Sequence, residues 1–150
     1  MPDSVLSSPK AWEFGCEPDF DGYGIGCKIP KRSKLRTAGG HIAVSFEDFD
    51  IEDNDIDFDR LARCFDEKVA KPLIEAGIET DVRRRKMYGR PGSFRVKDFG
   101  FEYRTLSNQW IKLYSSVELV FKLVHEAVDY YNAGDTRQPT KSPNALRNFV

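Results

Sequence analysis

Three stretches of this 150-residue chain carry residue types able to do chemistry together. His41 opens His41-Ile42-Ala43-Val44-Ser45-Phe46, and Glu102 and Arg104 stand in Phe99-Gly100-Phe101-Glu102-Tyr103-Arg104-Thr105. On a strand, residues i and i+2 project into the same space about 7 Å apart. A carboxylate and a guanidinium so placed suit a site that holds a hard divalent cation and an anion at once. From pattern alone the same residues read more simply as an ion pair on a solvated sheet face. The third stretch is basic: between Arg83 and Lys97 there are seven Lys or Arg and no acid. It holds Arg83-Arg84-Arg85-Lys86 and then Tyr88-Gly89-Arg90-Pro91-Gly92-Ser93-Phe94-Arg95. Glycines let backbone approach an anion, and arginine forks match phosphate oxygens. Phosphoryl transfer needs such a clamp to offset the charge on the transferred group. Two other readings are a solvated basic hairpin and a nucleic-acid loop in which Tyr88 and Phe94 stack bases. No RNP, zinc-finger or helix-turn-helix pattern accompanies the latter.

The elements around these residues follow from periodicity. Ile42, Val44 and Phe46 alternate with His41, Ala43 and Ser45, which predicts a strand with one face on a core. Phe99, Phe101 and Tyr103 alternate with Glu102 and Arg104 in a second strand. Phe58, Leu61, Ala62, Phe65, Val69 and Leu73 predict a helix over 57–76, with Asp57 as N-cap, Gly77 as stop and a kink at Pro72. A longer helix is expected over 108–132, with Trp110, Leu113, Tyr114, Val117, Phe121, Val124 and Val128 apolar. Its wet face carries Glu118, Lys122 and Glu126, and His125 falls at the boundary. Residues 15–40 are glycine-rich and loop-like, and the ends, 1–13 and 134–150, read as flexible tails. Residues 14–133 form the expected domain. The fold class is α+β, a curved antiparallel sheet with both helices on one face and His41, Glu102 and Arg104 together on the other.

Composition narrows the classes. No run of 18 apolar residues exists, so no membrane span is expected. The first residues, Met1-Pro2-Asp3-Ser4, lack the basic and apolar regions of a secretory signal. Cys16, Cys27 and Cys64 are odd in number and lack CxxC spacing, which argues against a disulfide framework and for a reducing cytoplasm. Net charge is −1, which argues against a nucleic-acid coat protein. The eight carboxylates between Glu47 and Asp59 lack the Gly and Glu of an EF-hand loop and read as a solvated loop. Gly22, Gly24 and Gly26 before Cys27-Lys28 do not have P-loop spacing. Cys16 and Cys64 read as small buried hydrophobes rather than nucleophiles.

Three blocks in one order carry a more specific signal. Gly15-Cys16-Glu17-Pro18-Asp19, Leu35-Arg36-Thr37-Ala38-Gly39-Gly40-His41-Ile42, and the set from Arg84-Arg85 through Glu102-Tyr103-Arg104-Thr105-Leu106-Ser107-Asn108 to Trp110 together resemble the carboxyl-terminal part of phage-type COOH·NH2 ligases type 2. These are amidoligase relatives of glutamine synthetase. The resemblance covers about residues 14–110 and implies part of a glutamine synthetase-like catalytic fold. It implies that ATP with Mg²⁺ activates a carboxylate as an acyl phosphate, which an amine then attacks. On that analogy His41 and Glu102 are metal ligands, and Arg104 and Arg95 are catalytic, Arg104 on the substrate carboxylate or acyl phosphate. Arg84, Arg85 and Arg95 hold the ATP phosphates. The implied partners are small-molecule or peptide carboxylates and amines, and the implied location is a host cytoplasm.

This chain departs from the family pattern at Ala43, where the family carries a second histidine in GGHIH. Family members are also about twice as long, and their first half supplies further metal-binding carboxylates. An active ligase therefore implies an additional amino-terminal segment or second subunit. The competing readings are an inactive relative that keeps only an anion- or nucleotide-binding surface, and a basic-loop nucleic-acid module.

Overall fold

The computed structural model of the chain describes residues 19–24, 38–87 and 89–134. The Gly15–Asp19 block apart from Asp19, residues 35–37 of the second block, Cys16, Cys27, Tyr88 and nearly all of both expected tails lie outside the described residues. Four strands form one antiparallel sheet: β1 Phe20–Asp21, β2 Ile42–Ser45, β3 Ser93–Lys97 and β4 Gly100–Tyr103, in the order β1-β3-β4-β2. The two expected strands are β2 and β4, with Ile42 opposite Tyr103 and Val44 opposite Phe101. Strands β1 and β3 are additional. The seven-base stretch is therefore not one loop: it divides into helix α3, Val82–Met87, and strand β3.

Alternation gives the sheet two unlike faces. One carries Ile42, Phe94, Phe101 and Tyr103, all buried. Against it lie Leu61, Ala62, Phe65, Val69 and Leu73 of a helical stretch running from Phe58 to Glu75. Phe65 meets the Phe101 ring edge-on at 5.3 Å, and Phe58 stacks over Phe94 and Phe101. This stretch is α1, Phe58–Phe65, a wide turn at Asp66–Ala70, and α2, Lys71–Glu75. Asp57 caps it by accepting from the Arg60 N–H at 2.9 Å. Gly77, at φ +69°, reverses the chain while the Ile78 N–H closes on the Leu73 carbonyl at 2.9 Å.

Pro72 stands in the first turn of α2. It has no N–H to offer the preceding turn, and the ladder there widens so that the Lys71 N–H reaches back to Asp66 O. The long helix also divides, into a 3₁₀ turn at Asn108–Lys112 and α4 at Tyr114–Asn132. Ser107 caps the 3₁₀ turn by accepting from the Gln109 N–H. Helix α4 packs on α1 and its wide turn, which places it behind α1 rather than beside it on the sheet. Its buried positions are Ser116, Val120, Leu123 and Ala127. Leu113, Tyr114 and Phe121, expected on the core face, are exposed. No helix among the described residues is long and apolar enough to cross a membrane.

Candidate functional site

The second face of the sheet is where the chemistry collects. Register places Arg95 on β3 opposite Glu102 on β4, and Glu102 opposite Ala43 on β2. Extending the β1–β3 register by one residue places Asp19 opposite Arg95. A single row across the four strands therefore reads carboxylate, guanidinium, carboxylate, alanine. His41 and Arg104 occupy the same face one pleat further along. The expected gathering of His41, Glu102 and Arg104 is present: His41 Nδ1 lies 3.0 Å from Glu102 Oε1, and Arg104 Nη1 lies 3.1 Å from both Glu102 Oε2 and His41 Nδ1.

Asp19, a residue to which sequence reasoning assigned no role, organises the two arginines. Its side chain is only 4% exposed, and Oδ1 lies 3.0 Å from Arg95 Nε and 2.9 Å from Arg104 Nε. Arg95 donates a hydrogen bond to this buried carboxylate from Nε and Arg104 faces it as a close ion pair, so one carboxylate gathers two guanidinium groups. The signal was available, since Asp19 ends the Gly15–Asp19 block, but nothing local shows that its partners lie more than 75 residues away.

The electrostatics follow from these contacts. Burial alone would raise the Glu102 carboxyl, but the charge and hydrogen bond of Arg104, with those of His41, outweigh it and hold the carboxyl below its ordinary value. Burial also lowers the His41 imidazole, Arg104 lowers it further, and Glu102 opposes both. Glu102 can only accept and Arg104 can only donate, so Nδ1 serves one of them at a time. A neutral imidazole that donates from Nδ1 to Glu102 carries its lone pair on Nε2. That atom is buried, without a hydrogen-bond partner among the described residues.

Arg84 and Arg85 build the site from below. Arg84 is completely buried and donates to the Arg104 and Thr105 carbonyls from Nη2 and Nη1. The chain passes over it at two glycines. A Cβ at Gly89, whose φ is +78°, would meet Arg84 Nη1 at 2.1 Å, and one at Gly39 would meet His41 Nε2 at 2.2 Å. Arg85 donates from Nη1 to the Glu79 carbonyl at 3.3 Å and lies 3.4 Å from Glu79 Oε1. Glu79 Oε2 in turn accepts from the Ser107 N–H and hydroxyl at 2.8 and 2.7 Å. Ser107 forms a bridge to Gly39, and Trp110 Nε1 donates to the Gly40 carbonyl at 3.1 Å. The expected phosphate holders Arg84 and Arg85 are therefore packed against the 104–107 segment and Glu79, whereas Arg95 lies on the polar face of the sheet, its side chain 17% exposed.

The donor set also bears on a cation. His41 Nδ1 and Glu102 Oε1 have the spacing of neighbouring ligands on an octahedral ion with bonds of about 2.1 Å. Mg²⁺ asks for more oxygen donors than one carboxylate supplies, and the Arg104 guanidinium reaches both candidate ligands. Among the described residues no group of three or more His, Cys, Asp or Glu could hold a metal. Among the described residues, His41 and Glu102 alone do not amount to a resident Mg²⁺ site.

Other side chains fall outside this cluster. Cys64 is buried in α1, and desolvation pushes its thiol up to about 11, in keeping with a small core residue. His125 is exposed on α4, its ring 5.4 Å from Phe121.

Neither a curated protein nor a solved structure matches the chain. The family model described as phage phiEco32-like COOH.NH2 ligase-type 2 matches residues 34–149, from just before the glycines under His41 through the third block and α4. That match takes in His41, Arg95, Glu102 and Arg104 and well over half of the sequence, and the chain belongs to the phage phiEco32-like COOH·NH2 ligase type 2 family.

Proposed function

We propose that the polar sheet face is the carboxylate- and phosphate-binding part of an ATP-dependent carboxylate–amine ligase. The observation that carries this reading is the convergence of Arg95 and Arg104 on the single carboxylate of Asp19, beside His41 and Glu102. Arg104 holds the substrate carboxylate, and Arg95 holds the phosphoryl group as it transfers. ATP, when bound, would supply the phosphoryl group that turns the carboxylate into an acyl phosphate. The amine then forms the C–N bond as the phosphate leaves. The fixed guanidinium groups offset the oxyanion of the tetrahedral intermediate without reorganising. Arg84 supports the reading indirectly, by holding the Arg104 and Thr105 carbonyls and with them the direction of the Arg104 side chain. Mg²⁺ belongs to this proposal as the companion of the triphosphate, since His41 and Glu102 alone do not make its site. The substrates are a small-molecule or peptide carboxylate and an amine.

Ala43 favours a second reading, a relative that binds nucleotide without completing catalysis. It stands directly beside Glu102 in the cross-strand row and offers no donor, acceptor or ligand. Isothermal titration of ATP into the chain, with and without Mg²⁺, tests both readings together with the Glu102→Gln and Arg95→Met variants. Mg²⁺-dependent binding that weakens about tenfold or more in Arg95→Met, the loss of a charge-assisted contact, supports a nucleotide site on this face. Absence of binding by the folded wild-type chain would refute both readings.

A further inference from the structure

Helix α4 has two apolar faces, and the fold uses one. Val120, Leu123 and Ala127 are buried against α1 and its wide turn. Tyr114, Val117 and Phe121 recur at the same helical spacing on another face, where Tyr114 is 78% and Phe121 69% exposed. Ile111 and Leu113, just before the helix, extend the exposed patch. A surface helix normally shows one apolar stripe, and a contiguous bare patch marks an interaction surface. A shallow, open depression of about 420 Å³ lies on it, lined by Tyr114, Val117, Glu118, Phe121, Lys122 and His125.

The charges in the depression select the occupant. Glu118 and Lys122 have opposite signs and stand two residues either side of Val120. A second copy of α4 lying antiparallel, related by a twofold axis level with Val120, brings Glu118 of each copy next to Lys122 of the other. The same operation leaves the two Phe121 side chains one residue either side of the axis, about 3 Å apart along the helices. A parallel copy in register would oppose like charges, and a partner of uniform charge would oppose either Glu118 or Lys122. Lys122 is left available for such pairing, since its contact within the helix is a 3.8 Å approach to Glu126.

We propose that this face of α4 binds the same face of a second copy of the chain, antiparallel, with the twofold axis level with Val120, the two Phe121 side chains beside it and two Glu118–Lys122 pairs flanking it. The helix is about 28 Å long, and its face is at the small end of specific interfaces. The dimer therefore forms and dissociates with concentration.

Sedimentation velocity of the full chain, from low micromolar to several hundred micromolar, tests this. Wild type is expected to shift from monomer to dimer. Phe121→Ser should weaken association about tenfold or more, as loss of a central aromatic anchor does. Glu118→Lys and Lys122→Glu should each weaken it, and the double variant should recover wild-type association. All these positions are exposed, so circular dichroism should be unchanged. A wild type that stays monomeric, a dimer insensitive to Phe121→Ser, or a double variant that does not recover would each overturn the proposal. A monomer whose α4 face is covered by another segment or protein falls under the first of these.

Discussion

Replacing Asp66 by Asn should remove most of the pH dependence of stability that this residue confers. Asp66 starts the wide turn after α1 and is fully buried on the core side of the sheet. It accepts hydrogen bonds from the Tyr103 and Thr105 hydroxyls, and Oδ2 is buried without a hydrogen-bond partner among the described residues. Desolvation raises its carboxyl to about 7, against hydrogen bonds from Tyr103, Tyr23, Gly92 and Thr105 that pull it down. The folded protein thus holds this proton more tightly than the unfolded chain, where an Asp titrates near 3.9. The stabilisation from protonated Asp66 is complete below that unfolded value. It declines as pH rises from about 4 to 7 and is gone above it. A shift of about three pKa units at about 1.36 kcal/mol each amounts to roughly 4 kcal/mol. Asn keeps an acceptor for Tyr103 but places an NH₂ where Oδ2 has no partner, which costs about 1–3 kcal/mol. At pH 8 Asp66→Asn should therefore be about 1–3 kcal/mol more stable than wild type, and at pH 4 about 1–3 kcal/mol less stable. Urea titrations of both proteins across this range measure the difference directly, and other titrating groups cancel in the subtraction. A difference that stays constant from pH 4 to pH 8 would refute the argument.

Two further predictions concern the site. Arg84→Met removes the donors to two backbone carbonyls and should lower stability by about 3 kcal/mol. For a domain of this size the thermal midpoint should fall by about 6–12 °C. A change of a degree or less in a thermal melt would show that those bonds are dispensable. The His41 imidazole should titrate below its ordinary value because burial and Arg104 both oppose its charge. Its contribution to stability is then present above the unfolded value and lost as pH falls below it. Imidazole NMR shifts followed against pH check this, and the midpoint should rise in Arg104→Met. A wild-type midpoint at or above the free value would contradict the geometry.

Local pattern determined a good part of this protein. Period-2 alternation marked β2 and β4 and separated their core faces from His41, Glu102 and Arg104, because side chains on a strand alternate whatever surrounds them. Asp57 and Gly77 bounded the α1–α2 stretch because capping and reversal are satisfied within a few residues. Three short blocks in order were enough to indicate the family, which the match over residues 34–149 bears out. Strand β3 was hidden because its five residues, Ser93–Lys97, sit in a basic run whose charge masks a short alternation, and pairing with β4 and β1 makes it a strand.

What the tertiary structure decided was where each charge goes. The seven bases between Arg83 and Lys97 look alike along the chain. The fold places Arg84 under the glycines at 39 and 89, Arg85 on Glu79, and Arg95 on the polar face. Asp19 becomes the link between Arg95 and Arg104 only when β1 closes the sheet edge. In the same way α4 shows two apolar stripes in its sequence, and packing on α1 buries Val120, Leu123 and Ala127 while leaving Tyr114 and Phe121 bare. Periodicity reports that a face is apolar. Which apolar face is covered, and which charge meets which, depends on contacts between residues far apart in the chain, and these exist only in the folded arrangement.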